Sequence, residues 1–393
     1  MNKFIFLISL FIITKCNNVA ARSVYQQVNK PEILLKQLFR LAELPKKSDF
    51  KKSRLEKRSA PIYLMDIYKN TVDHTPGFEY NETAMDLTDH DFDKINKSDV
   101  IMSFIAQQPH KGRGGKPKFI RRMWFDVTEN NNGQQLISAE LKFFRDCSRV
   151  NKPSNRRAYN VTIYRRVFVN SVRNHVYVNS VIVPENYHGW FSVNVTECFK
   201  FWTDNPVDNH GVKVVAMPVG GDGRRSRKVR PEHIGIVGFD GEPERFSFLV
   251  GYFRDFGKNN QLLDKVIGEF YHHDNFHRIS KRAARKSKNV LCKLHKAYVD
   301  FREIGWDEWI VAPPGYDAGD CVGACRFPMS DSMNGTNLAI IKELYQGIEN
   351  NELSKSHCTA IQYEPLKLLF YSNENTVVYR SYKDMSATAC GCR

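Results

Sequence analysis

The chain ends in a cysteine framework that leaves room for little besides a covalently stapled domain. Its last hundred or so residues hold Cys292, Cys321, Cys325, Cys358, Cys390 and Cys392, ordered as a lone cysteine, a Cys-x-Gly-x-Cys pair, a second lone cysteine and a Cys-x-Cys pair. Two closely spaced pairs can bridge to each other and close a small ring, through which a third bridge can pass. Such a ring needs a residue without a side chain, and Gly323 supplies it. Six thiols alone permit fifteen pairings, and spacing does not choose among them. A short domain of this kind buries little apolar area, so each bridge has to contribute about 2 to 4 kcal/mol. A metal site is the poorer reading, because no compact Cys-x-x-Cys or His-x-x-x-His set accompanies the cysteines.

The redox reading depends on the compartment. Lys3 precedes an apolar run from Phe4 to Ile13, followed by the small residues Val19, Ala20 and Ala21, the pattern of a secretory signal peptide over 1–21. The run is too short to span a bilayer and no later stretch is longer, so no membrane span is expected. An oxidising destination favours disulfides, and Cys147 and Cys198 are then expected to pair with each other, with a link between two chains as the competing reading. Asn-x-Ser/Thr acceptors for glycosylation stand at Asn81, Asn96, Asn160, Asn194 and Asn334.

Charge is distributed unequally. The chain carries a formal +15, yet residues 286–393 hold 12 Lys and Arg against 13 Asp and Glu, leaving the upstream part at 46 against 30. In a secreted chain such an excess points to acidic glycans or convertases, or to solubility alone, rather than to nucleic acid. The run from Arg278 to Lys288 lacks apolar periodicity and sits just before the cysteine framework. Arg282 and Arg285 stand three positions apart, as a subtilisin-like convertase prefers, so cleavage is expected after Arg285, or after Arg282 behind the dibasic Lys281-Arg282. Arg224 to Arg227 offers a second match.

Upstream, Ile33 to Leu44 has helical apolar spacing, Lys46 to Lys57 is a charged strap, and Ala60 to Tyr68 predicts a second short helix. A lone helix of that length is marginal, so both apolar faces need a cover. From about 98 to 260 the pattern turns to alternating strands: Lys118 to Asp126, Leu136 to Phe144, Tyr159 to Val169, Val212 to Met217 and Phe246 to Phe253. Trp190 to Val195 leads into a segment, Thr196 to Trp202, with helical character.

Phe301-Arg302-Glu303-Ile304-Gly305-Trp306-Asp307-Glu308-Trp309-Ile310-Val311-Ala312-Pro313-Pro314-Gly315-Tyr316, then Cys321 to Pro328, Met333 to Ile340, Tyr382 to Met385 and the ending Cys390-Gly391-Cys392-Arg393 together resemble a bone morphogenetic protein of the transforming growth factor-β superfamily. The match covers nearly all of 292–393, and its motifs are specific as a set. Ala60 to Tyr68, Trp124 to Val127, Ser138 to Leu141 and Gly189-Trp190 resemble prodomain segments of the same family. The resemblance implies a signal peptide, a propeptide over 22–285 and a mature domain over 286–393. The propeptide would be α+β, with a helical strap at about 30–75 and a β-rich arm at about 98–260. The mature domain would be a disulfide-rich cystine-knot growth factor, mainly β with one helix near Asn337 to Ile348. It also implies the pairing Cys292 with Cys358, Cys321 with Cys390 and Cys325 with Cys392.

By the same resemblance, Trp306, Trp309, Phe327, Pro328, Met329, Ile340, Leu344, Tyr382 and Met385 match the concave wrist for a type I receptor. Ala312, Pro313, Leu369 and Tyr379 match the convex knuckle for a type II receptor. Plain packing is the competing role for each, since such side chains serve both. His357 stands where most family members carry the first of two adjacent cysteines, which makes the interchain bond, and Asp320 stands where an aromatic residue is common. A dimer here is therefore expected to be non-covalent and concentration-dependent. The implied function is a secreted ligand of bone morphogenetic type, cut by convertase, bridging type I and type II serine/threonine kinase receptors and signalling through SMAD proteins. The implied partners are those receptors, a second copy or a related ligand, the chain's own propeptide and extracellular antagonists. A same-fold antagonist or heterodimer partner is the alternative. No cofactor is expected. A zymogen using His295 or His357 beside cysteine is the reading from another class, but no base, orienting residue and nucleophile stand together.

Overall fold

The structure, a computed structural model, describes residues 57–72, 87–107, 122–128, 134–150, 158–170, 172–219, 228–239, 241–255, 290–346 and 353–393. The signal peptide, the first helical segment, Asn81, the run 224–227, Arg282 and Arg285 lie outside the described residues. All described residues belong to one unit. Among them no helix is long and apolar enough to cross a membrane.

Ala60, Tyr63, Leu64 and Ile67 recur at three- and four-residue intervals and are buried, which fixes the inner stripe of helix α1 (Ser59–Val72). Helix α2 (Asp89–Asn96) begins with a reciprocal cap. The Thr88 hydroxyl accepts from the Asp91 amide, and the Asp91 carboxylate accepts from the Thr88 amide at 3.1 Å. Strand β1 (Val100–Ile105) follows, buried on both faces. Then come β2 (Arg122–Met123), β3 (Gln134–Arg145), β4 (Ala158–Val169), β5 (Val172–Pro184), β6 (Gly189–Asn194), helix α3 (Thr196–Asp204), β7 (Val212–Val219) and β8 (Phe248–Asp255). The strands fall where alternation predicts them, except that only Arg122 and Met123 are strand in the described part of 118–126.

The cysteine-rich segment contributes β9 (Lys293–His295), β10 (Tyr298–Asp300), β11 (Ile310–Ala312), β12 (Gly315–Asp317), β13 (Asp320–Val322), helix α4 (Asn337–Tyr345) and the long strands β14 (Cys358–Asn373) and β15 (Thr376–Cys392). Disulfides join Cys292 to Cys358, Cys321 to Cys390 and Cys325 to Cys392, with Cα separations of 5.4, 5.6 and 5.8 Å. Gly323 sits at φ +128°, and a Cβ there would lie 2.4 Å from the Leu291 carbonyl oxygen, so no other residue fits the ring.

Among the described residues there are two larger sheets and two two-stranded ones, β10-β12 and β13-β9. A four-stranded sheet runs β2-β7-β4-β5, and a seven-stranded sheet runs β11-β14-β15-β1-β8-β3-β6. The larger sheet therefore passes from the cysteine-rich segment into the upstream arm without a break. The junction is the antiparallel pair β1–β15, which sets Val100 opposite Arg380 and Phe104 opposite Thr376.

The expected Cys147–Cys198 bridge is absent, and both residues are thiols. Cys147 is exposed on the turn after β3, with its Sγ 3.7 Å from His188 Nδ1. Cys198 lies on the buried face of α3 beside Phe199 and Trp202, and burial pushes its thiol up to about 12. A shared compartment made the pair plausible, but the chain carries one thiol outward and the other into a core.

Candidate functional site

Helix α1 closes over the end of the β14–β15 hairpin. Its buried stripe joins one apolar cluster with Ile101, Ile105, Phe248 and Val250 of the arm and with Ala312, Leu369, Tyr371, Val377 and Tyr379 of the cysteine-rich segment. Three of the four candidate knuckle residues, Ala312, Leu369 and Tyr379, are thus buried beneath it, and Pro313 is half-buried. Polar contacts fix the helix end. Thr71 Oγ1 and the Tyr379 hydroxyl share a hydrogen bond of 2.8 Å, Lys367 Nζ donates to the Thr71 carbonyl at 2.8 Å, and the Tyr68 and Tyr379 rings meet edge-on. Burial holds the Tyr379 hydroxyl above its ordinary pKa.

The near end of α1 is tied to the arm. Ser59 donates to the Phe246 carbonyl at 2.5 Å and Ser103 to the Ala60 carbonyl at 3.2 Å. The Tyr63 and Tyr252 hydroxyls share one hydrogen bond of 2.5 Å, in which either can donate. Both tyrosines are pushed well up in pKa, by burial first and by neighbouring Asp91 and Glu140 as well. Around them lies a buried charge quartet. Lys142 donates to Asp91 at 2.9 Å and lies 3.5 Å from Glu140, Lys94 pairs with Glu140 and stands 3.8 Å from Asp91, and the Lys142 ammonium sits 4.9 Å from the Tyr63 ring centroid. Burial acts to raise the Asp91 carboxyl, but Lys142 and the Thr88 cap outweigh it and hold the group below its ordinary range. Two cations and two anions balance among side chains no more than 11% exposed, so removing one of them leaves a poorly solvated charge. A partly buried ion pair, Arg380 to Asp255 at 2.5 Å, joins β15 to β8 next to the strand junction.

The candidate wrist residues fall in two groups. Trp306, Trp309 and Tyr382 form an aromatic row with Phe301 and Phe370, successive ring centroids standing 5.7 to 6.5 Å apart. Phe327, Pro328 and Leu344 are exposed, Met329 and Ile340 are half-buried, and half-buried Met385 lines an open hollow with Tyr363 beside Cys358. Helix α4 also exposes Leu338, Ile341 and Tyr345, an apolar face that the described residues leave open. His357 is exposed, and its backbone exchanges hydrogen bonds with Arg393 at 3.0 and 3.1 Å, so the position is the last rung of the terminal hairpin.

Of the described glycosylation acceptors, Asn96, Asn194 and Asn334 are exposed. The side-chain oxygen of Asn160 is buried in the sheet without a hydrogen-bond partner, and Thr162 of its tripeptide is buried too.

A bridged ring with a bridge threaded through it, carrying a long two-stranded finger that continues into the sheet of an upstream arm, defines a cystine-knot growth factor held within its own precursor. The TGF-beta propeptide family matches residues 17–252, and the transforming growth factor beta like domain matches residues 291–392. The chain is 29% identical to Protein 60A of Drosophila melanogaster over 381 residues, covering 86% of this chain and 80% of that one. It is 28% identical to Protein 60A of Drosophila virilis, covering 86% and 82%. Against bone morphogenetic protein 2 of Tetraodon nigroviridis it is 27% identical over 394 residues, covering 93% and 89%. The chain belongs to the transforming growth factor-β superfamily, as a precursor of the bone morphogenetic type, and is a growth-factor ligand rather than an enzyme.

Proposed function

We propose that this precursor is secreted behind a signal peptide over 1–21, is cut by a convertase after Arg285 or Arg282, and releases a mature segment over 286–393 that acts as a ligand. The mature segment dimerises without an interchain disulfide, its exposed α4 face packing on a second copy or a related ligand. It then brings type I and type II serine/threonine kinase receptors together and signals through SMAD proteins in development. Type I receptor contacts fall to Trp306, Trp309, Phe327, Pro328, Met329, Ile340, Leu344, Tyr382 and Met385, and type II contacts to Ala312, Pro313, Leu369 and Tyr379.

The observation that carries this reading is the burial of Ala312, Leu369 and Tyr379 under α1. A receptor surface covered by the prosegment needs cleavage and departure of that segment before it works. The exposed, thiol-free position of His357 also favours a second reading, in which the mature chain pairs with covalent relatives as an antagonist or heterodimer partner. A SMAD-responsive reporter treated with purified mature segment separates the two. Activation by the segment alone supports the agonist; inhibition of another ligand without activation replaces it with the antagonist.

A further inference from the structure

The hairpin of β4 and β5 carries a strand edge that receptor recognition does not use. In the four-stranded sheet β4 pairs with β7 on one side and β5 on the other, and among the described residues no strand pairs with the far side of β5. Part of that side is closed by other means. The register shift between Ile163 and Tyr164 leaves Val178 unopposed, a bulge, and Asn179 just beyond it donates its side-chain amide to the Asn194 carbonyl of β6 at 3.1 Å. From Val172 to Tyr177, however, every residue is exposed. Proteins usually blunt such an edge with lysine or proline. Val172-Arg173-Asn174-His175-Val176-Tyr177 contains neither.

One bond shows which backbone groups this edge offers. The Arg166 amide donates to the Gly211 carbonyl at 3.1 Å, so Arg166 turns its backbone groups toward the β7 side. It stands opposite His175, which makes the two a non-hydrogen-bonded pair, and His175 therefore turns its own N–H and C=O to the open side. By alternation Arg173 does the same, while Val172, Asn174 and Val176 spend theirs on β4. The side chains alternate with the same period. Arg165 lies over the Phe201 ring of α3, 3.5 Å from its centroid, and marks the inner face of the hairpin. Beyond it that face continues with Val169, Val172 and Val176, all exposed, Val172 opposite Val169 and Val176 opposite Arg165.

We propose that this edge pairs with the same edge of a second copy of the chain, antiparallel about a two-fold axis at Asn174. The stretch Val172-Arg173-Asn174-His175-Val176 is its own partner in that register. Val172 of each copy meets Val176 of the other on the inner face, Asn174 meets Asn174, and Arg173 and His175, the residues with outward backbone groups, exchange both hydrogen bonds. Moving the axis one residue either way sets valine opposite asparagine. On the outer face Arg173 comes beside His175 of the other copy. That ring is held toward its neutral form by partial desolvation and by Lys213, Arg166, Arg122 and Lys228, so no two full charges stand directly opposite across the seam. A foreign extended peptide would use the same backbone groups, but the self-matching order of side chains selects this chain's own strand. The edge is short against the roughly 20 to 30 residues a side of a standard interface, so association is reversible and grows with concentration. It joins arm to arm, apart from the knot, from α1 and from the exposed face of α4.

The test is sedimentation of the full secreted precursor over a concentration series, with amide exchange read at Arg173 and His175. It is run on the natural chain and on Leu338→Glu, which spoils pairing through α4 and leaves the arm untouched. In both, mass should rise with concentration, and exchange at the two amides should slow as it does. His175→Pro removes an outward N–H and leaves the ladder to β4 in place, a position where an edge strand accepts proline. The symmetric contact then loses one bond from each copy, which should weaken association about tenfold or more. If that variant is not secreted, Val172→Lys, at a side chain 61% exposed, sets a charge against Val176 of the other copy and should weaken association as much. Association unchanged in His175→Pro or Val172→Lys overturns the proposal. So does a Leu338→Glu precursor whose mass stays that of one chain at every concentration. Exchange at Arg173 and His175 that is slow at constant mass overturns it as well, in favour of a cover from within the same chain.

Discussion

Lys142→Met probes the tie between α1 and the arm. Lys142 donates to Asp91 at 2.9 Å, lies 3.5 Å from Glu140 and covers the Tyr63 ring, and its side chain is 8% exposed. Removing it leaves two buried carboxylates facing Lys94 alone. Breaking one partner out of a buried ionic set costs about 3 to 5 kcal/mol, because the remaining charge is neither solvated nor paired. That is about two to three and a half orders of magnitude in the equilibrium that holds the site together. Urea unfolding of the purified precursor measures the loss, and amide exchange over 59–72 locates it at α1. A companion, Lys142→Met with Asp91→Leu, restores the charge balance with apolar groups and should recover most of the loss. The pH dependence has a fixed sign. Asp91 is held below its ordinary value, so its contribution is complete above about pH 4 and disappears as pH falls through the lowered folded value. Asp91→Asn should remove that part of the acid limb. A cost for Lys142→Met under about 1 kcal/mol, the range of a surface pair, would refute the reasoning.

Ile67→Ala, at a fully buried position on α1, should cost about 2 to 5 kcal/mol of helix docking, and should expose the Leu369 and Tyr379 region to amide exchange while the knot stays intact. Gly323→Ala puts a Cβ 2.4 Å from the Leu291 carbonyl oxygen at a φ of +128°, and secreted yield should fall to near nothing. Maleimide should label the native precursor at Cys147 within minutes and at Cys198 only after denaturation, since the latter is buried with its thiol pushed up to about 12. A precursor with no free thiol would reinstate a bridge.

Much of this architecture was written in short-range pattern. Ala60 to Ile67 repeat at helical spacing, so α1 was legible as a helix with one face to cover. Gly323 and its flanking cysteines announced a ring. What short-range pattern does not carry is the partner. Alternation in Val100 to Ile105 is masked by burial on both faces, and nothing local says that this strand adds itself to Thr376–Arg380, more than 270 residues away. The charge quartet escaped for a related reason. Asp91 and Lys94 stand one helical turn apart and Glu140 and Lys142 share one face of β3, positions that read as solvated until the two elements are seen to face each other. Cys147 and Cys198 misled because compartment argues for bridging while only the fold decides which way each thiol points.

Helix α1 covers Ala312, Leu369 and Tyr379 in the precursor, and departure of the prosegment would open that surface. Titrating a type II receptor ectodomain onto uncleaved precursor, and onto the mature segment separated from its prosegment, tests it most directly. Binding to the separated segment is expected, with affinity at least a hundredfold weaker for the precursor, restored in part by Ile67→Ala. Equal affinity for both forms would contradict it.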